Sequence, residues 1–101
     1  KIVQTPLREF IPDMDSLPEA AWDLLPMHVY KYHAVMGGRG CPWRCNFCAS
    51  PTVWKRNLRT RSPARIAGEI KYLFDHCGRK TVHFKDDTFT AERNWALEVA
   101  R

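Results

Sequence analysis

The sequence predicts an α/β fold made of two consecutive strand–helix units with parallel strands. Three observations carry this. An apolar run over residues 30–36 ends in Gly37 and Gly38. Apolar residues at helical spacing follow Ser62-Pro63 and stop at Gly78. A second alternating run over 81–85 leads into another helical pattern that begins near Thr90 or Ala91. Strand, helix, strand, helix in that order gives a parallel pair joined by a right-handed crossover.

The residues ahead of these units are expected to be a linker, or else an ordinary proline-punctuated tail. Pro6, Pro12, Pro18 and Pro26 are spaced so that no long helix fits before residue 27, leaving an extended connector with a short turn near Glu19 to Leu25. Leu17, Trp22, Leu24 and Leu25 are its candidates for packing on neighbouring surface. The first strand, Tyr30 to Met36, delivers the chain to a glycine-rich loop. In the helix that follows, Ser62 is a good N-cap, Pro63 suits the first helical position, and Gly78 terminates the helix after Cys77. Ile66, Ile70, Leu73, Phe74 and Cys77 form its apolar face. Gly68 weakens it slightly, and Arg65 stands where a capping box would place Glu. In the second strand Val82 and Phe84 alternate with Thr81, His83 and Lys85, and the strand ends in Asp86 and Asp87.

The loop after the first strand holds the strongest chemical signal. Cys41, Cys45 and Cys48 lie in Gly40-Cys-Pro-Trp-Arg-Cys-Asn-Phe-Cys48, a CxxxCxxC spacing. Thiols at this density suit metals or redox chemistry. A second CxxC pair, which would complete a closed zinc site, is missing, and an ordinary iron–sulfur cluster takes four cysteines. Three protein ligands on a 4Fe-4S cube leave one iron open for another molecule. Spacings of four and three would also fit one helical face, but a helix would spread the run over roughly 10 Å. A wrapped loop is needed, and Gly37, Gly38, Gly40 and Pro42 are the residues to build it. Backbone N–H groups in such a loop can hydrogen-bond to the cluster sulfurs. The fourth cysteine, Cys77, falls on the apolar helix face and is expected in the core.

Arg39-Gly-Cys-Pro-Trp-Arg-Cys-Asn-Phe-Cys48 resembles the cluster loop of the radical S-adenosylmethionine enzymes, most closely the cobalamin-dependent class. Arg61-Ser-Pro63, His83-Phe-Lys-Asp-Asp-Thr-Phe-Thr90, Asp13-Met-Asp-Ser-Leu-Pro18 and Asp23-Leu-Leu-Pro26 extend the likeness over nearly the whole chain. The resemblance implies a partial TIM-like (β/α)6 barrel, with its first two βα units in residues 30–101. Residues 1–29 would then be the linker from an absent upstream domain. Lys1 at the start and a helix still running at Arg101 suit a piece of a longer protein. By resemblance Cys41, Cys45 and Cys48 hold three irons, and S-adenosylmethionine chelates the fourth. Phe47 lies against the adenine. Asp86 and Asp87, where many members have Gly-Gly-Glu, hold the amino group through a carboxylate or the backbone. Otherwise Asp87 or Thr88 is a turn or cap residue, and Phe47 packs under the loop. The resemblance further implies a small-molecule substrate, a reductant such as flavodoxin or ferredoxin, and, for the cobalamin class, cobalamin on an upstream domain and methyl transfer to an unactivated carbon.

Composition narrows the alternatives. The chain has 101 residues, 45% hydrophobic, and neither a membrane-length apolar run nor a signal peptide, so it reads as a soluble, cytoplasmic protein. Its net charge of +5 is unevenly spread: residues 31–66 carry eight basic and no acidic groups. Lys55, Arg56, Arg59, Arg61 and Arg65 follow the cysteines and would favour an anionic cluster, a carboxylate cofactor or a phosphorylated substrate, or else form a solvated face. Trp54 beside Lys55 and Arg56 also permits a nucleic-acid-binding or RNA-modifying reading, but no RNA-binding module accompanies it. A zinc module would recruit His28 or His33 as fourth ligand. His33 and His83, on alternating strands, are expected as hydrogen-bonded structural residues.

Overall fold

The computed structural model describes residues 1–78 and 81–101. β1 (His33–Val35) pairs in parallel with β4 (Val82–Phe84), with Ala34 opposite His83. β1 is shorter than the sequence run that announces it. Tyr30 closes a 3-10 turn, Met27–Val29, by donating its N–H to the Met27 carbonyl, so the chain becomes extended only later. At the other strand the ladder bonds reach from the Thr81 carbonyl to the Lys85 N–H, the expected 81–85. His33 and Val35 are buried and Ala34 is exposed, the alternation of a strand with one covered face.

The cover is α2 (Pro63–His76), which forms the crossover between the two strands, together with α3 (Arg93–Val99). Ile66 and Leu73 are fully enclosed with Val35, Trp95, Ala96 and Met27, and Trp22, Ile70, Cys77, Val82 and Phe84 pack around them. Burying side chains of this size contributes about 1.5–3 kcal/mol each. Cys77 is the helix C-cap and half-buried against this core, as expected, and Gly78 follows at φ +71°.

Both ends of these helices show how local chemistry sets the boundaries. The Ser62 hydroxyl accepts from the Arg65 N–H at 3.2 Å. The reciprocal acceptor, which Arg65 cannot supply, is Asp15 of the N-terminal segment, whose Oδ1 takes the Ser62 N–H at 2.9 Å. Hydrogen bonds from Ser62 hold the Asp15 carboxyl below the usual carboxylate range. α3 starts later than the expected Thr90 or Ala91. Residues Phe89–Ala91 form a 3-10 turn, and the Glu92 side chain caps the helix by accepting the Asn94 and Trp95 N–H groups.

The N-terminal segment is less extended than its prolines suggested. It makes 3-10 turns at Met14–Ser16, Trp22–Leu24 and Met27–Val29, and anchors through buried Met14 and Met27. Trp22 and Leu17 are partly covered, whereas Leu24 and Leu25 are exposed. Glu69 interrupts the apolar face of α2. It is buried, and binds the Arg61 guanidinium and the Trp22 indole N–H, the latter at 2.9 Å. No described helix is long and apolar enough to cross a membrane.

Candidate functional site

Residues 40–58 form a loop closed at its base by two short antiparallel strands, β2 (Gly38–Arg39) and β3 (Arg59–Thr60). The Arg61 N–H adds a bond to the Gly37 carbonyl at 2.8 Å. Gly40 makes the closure possible: it sits at φ +95°, and a Cβ there would run into the Asn57 carbonyl across the loop. Within the loop lies a short helix, α1 (Ser50–Trp54), that the sequence reading missed. It ends in two consecutive left-handed residues, Lys55 at φ 53° and Arg56 at φ 60°.

The three cysteines occupy the first half of this loop. Cys41 is half-buried, and its Sγ lies 3.3 Å from the Thr88 hydroxyl. Cys45 and Cys48 are exposed and joined by a turn in which the Cys48 N–H donates to the Cys45 carbonyl at 3.1 Å. The Ser50 N–H points at the Cys48 Sγ from 3.4 Å. Phe47 is 89% exposed on the same turn.

The end of β4 runs alongside. Asp86 Oδ2 accepts the Gly37 N–H at 3.2 Å and Oδ1 accepts the Gly38 N–H. Burial pushes the Asp86 carboxyl above its usual range, against the pull of those amides. Asp87 Oδ2 accepts from the Ser50 hydroxyl at 2.8 Å. Thus Asp86 and Asp87 stand beside the cysteine loop, and Thr88 and Ser50, which sequence reasoning gave no site role, stand with them.

The basic block is partly structural. Arg59 packs over the Phe10 and Trp54 rings and donates to the Ile11 carbonyl at 3.1 Å. Arg61 binds Glu69 and donates to the Met36 carbonyl, and Arg65 pairs with Glu19 and donates to the Leu17 carbonyl. These three tie the N-terminal segment, loop base and α2 together, while Lys55 and Arg56 are exposed. Trp54 contributes its ring to Phe10 and Arg59 instead of standing out as a stacking platform.

The donor set on this loop is three free thiols. Among the described residues no three His, Cys, Asp or Glu side chains converge as a metal-ion site. Four-coordinate zinc needs its ligands around one point. His33 does not approach the role: it is fully buried on β1, and among the described residues its ring nitrogens lack the hydrogen-bond partners expected of a structural histidine. Cluster ligands sit on separate irons and have to share a loop rather than a point. Here all three thiols are free and two face solvent; the Ser50 N–H lies 3.4 Å from the Cys48 sulfur and the Thr88 oxygen 3.3 Å from the Cys41 sulfur.

Comparison with known proteins agrees with this chemistry. A family model described as the radical SAM superfamily matches residues 35–101. The chain is similar to an uncharacterized methyltransferase of Pyrococcus horikoshii, at 35% identity over 99% of this chain and 23% of the relative. It is 34% identical to the hopanoid C-2 methylase of Rhodopseudomonas palustris over 86% of the chain and 16% of that protein. It is 28% identical to the anaerobic magnesium-protoporphyrin IX monomethyl ester cyclase of Synechocystis over 92% and 19%. The chain therefore spans less than a quarter of the length of these relatives. No solved structure matches it.

Proposed function

Because this chain belongs to the radical SAM superfamily, we propose that it is the cluster-binding part of an enzyme that cleaves S-adenosylmethionine reductively. The observation that carries this reading is the cysteine loop itself: three free thiols in residues 41–48, on a closed loop at the C-terminal end of a parallel strand. That strand end is where α/β barrels place reactive groups. Cys41, Cys45 and Cys48 would hold a 4Fe-4S cluster with one iron left to the cofactor. A cluster held by these three residues would supply the electron for reductive cleavage of S-adenosylmethionine to methionine and a 5′-deoxyadenosyl radical, the species that would take a hydrogen from the substrate.

The chain's own residues supply position. Phe47, exposed on the turn between the second and third ligands, offers a ring to the adenine. Asp87 and the backbone at Asp86 are the candidates for the amino group, since both Asp86 carboxylate oxygens already accept amides. Residues 30–101 are read as the first two βα units of a (β/α)6 barrel and residues 1–29 as the linker from an upstream domain. Two of these relatives bear methyltransferase or methylase names, which supports methyl transfer to a small molecule in the whole protein, with cobalamin on the upstream domain as part of the proposal; a third bears a cyclase name, so a different radical outcome is the alternative. A cytoplasmic setting with a flavodoxin or ferredoxin reductant completes the reading. The test is product analysis on the full-length enzyme under dithionite: methionine and 5′-deoxyadenosine form with the native protein and are lost in each of Cys41→Ala, Cys45→Ala and Cys48→Ala. Product formation that survives these substitutions refutes it.

A further inference from the structure

Three consecutive residues at the end of β4 reach three separate points of the cysteine loop. Asp86 takes the Gly37 and Gly38 amides where the chain enters the loop. Thr88 meets the first ligand, Cys41, at 3.3 Å. Asp87 takes the hydroxyl of Ser50, two residues past the last ligand, at 2.8 Å. The loop's own base is only a pair of two-residue strands, and its cysteine turn is exposed. Without further ties the entropy of fixing residues 40–58 would fall on that short ladder.

We propose that Asp86-Asp87-Thr88 is a latch that holds the cysteine loop in its ligating shape, with Asp86 a positioning residue and Thr88 the residue that tunes the sulfur of Cys41. The role toward a cluster rests on the iron–sulfur reading above. The proton inventory at Thr88 makes the second part specific. Its hydroxyl has one proton and lies 2.7 Å from the Asp87 carbonyl, to which it donates. With a thiol at Cys41 the S–H is then the donor to Thr88. As a cluster ligand the sulfur would carry no hydrogen, and the hydroxyl, 3.3 Å away, would be placed to turn to it. A hydrogen bond to a ligand sulfur offsets the extra negative charge of a reduced cluster and raises its potential. Among the described residues Asp86, by contrast, hydrogen-bonds to the Gly37 and Gly38 amides and to no cysteine.

The test uses the full-length protein with Asp86→Asn, Thr88→Val and Thr88→Ser. Asp86→Asn sets an NH2 group against a backbone N–H. In the apoprotein, amide hydrogen exchange over 37–58 is expected to quicken by about tenfold or more, the effect of losing one charge-assisted hydrogen bond. Exchange in α2 is expected to stay unchanged. Thr88→Val, nearly isosteric, is expected to retain native iron and sulfide content while shifting the midpoint potential to a more negative value, and Thr88→Ser to restore it. Native exchange in Asp86→Asn overturns the latch, and a native potential in Thr88→Val overturns the tuning. If Asp86→Asn fails to fold, exchange over 37–58 in Ser50→Ala, which loses the hydroxyl given to Asp87, decides the latch in its place: faster exchange upholds it and native exchange overturns it. A native protein that assembles no cluster, while Asp86→Asn still loosens the loop, refutes the iron–sulfur reading and upholds the latch.

Discussion

Replacing Gly40 by Ala should damage the cysteine loop more than any other single methyl addition to a glycine, and its size can be worked from two observations. At φ +95° an L-residue is strained by about 1–2 kcal/mol. The new Cβ also meets the Asn57 carbonyl, so the two sides of the loop must part; overpacking of this kind costs about 1–3 kcal/mol. Together these destabilise the closed loop by about 2–5 kcal/mol, a factor of about 30 or more in its population. Gly68 gives the matched control. A Cβ there has no heavy atom within 4 Å, and the site is exposed on α2, so Gly68→Ala should stabilise the helix by about 0.8–1 kcal/mol. Hydrogen exchange by mass spectrometry on the full-length protein separates the two: residues 37–61 open faster in Gly40→Ala, while α2 is slower to open in Gly68→Ala. Equal loop protection in Gly40→Ala and native protein would refute the argument that this glycine permits closure.

Other substitutions probe the supports of the loop. Glu69→Ala leaves the Arg61 guanidinium and the Trp22 indole without their buried acceptor, and should cost about 3–5 kcal/mol in a denaturant titration; a loss below 1 kcal/mol would mean that water replaces the carboxylate. Cys77→Ala should lower stability modestly and leave bound iron at the native level, unlike the three loop cysteines, as iron and sulfide assays would show. The Asp15 tie to Ser62 should be pH-dependent. Because its folded carboxyl lies below the ordinary range, its contribution is present above the unfolded value and lost as pH falls through the folded one. The stability difference between native protein and Asp15→Asn should accordingly shrink on acidification, and a difference independent of pH would contradict that assignment.

How much of this was legible in the sequence depends on the range of the forces involved. α2 was readable almost to the residue because its cap, period and stop are all local: Ser62-Pro63, the Ile66 to Cys77 face, and Gly78. The parallel pair followed from element order. β2 and β3 were not readable, since two residues carry no period and their pairing depends on Gly40 letting the chain cross itself. α1 was hidden for a similar reason, being five residues long and ended by left-handed Lys55 and Arg56. Glu69 was masked by its position on an apolar face, where only Arg61 and Trp22 explain it.

The site shows the same division. The cysteine spacing stood out because the three thiols are close in sequence. Asp86 and Asp87 were noticed as a carboxylate pair, but their partners lie 37 to 49 residues away, so the direction of each side chain could not be read. Arg65 in place of a capping Glu was a usable clue: it left the Ser62 N–H needing an acceptor, which Asp15 provides from 47 residues upstream. The basic block misled in part, since net charge says nothing of pairing, and Arg59, Arg61 and Arg65 proved to be fasteners.

The central claim is that Cys41, Cys45 and Cys48 hold a cluster with one open iron. Its most direct test is electron paramagnetic resonance of the full-length protein, reconstituted anaerobically with iron and sulfide and reduced, with and without S-adenosylmethionine. A 4Fe-4S signal that changes when the cofactor is added is the predicted result. A colourless protein holding one zinc, or a cluster signal indifferent to the cofactor, would contradict it.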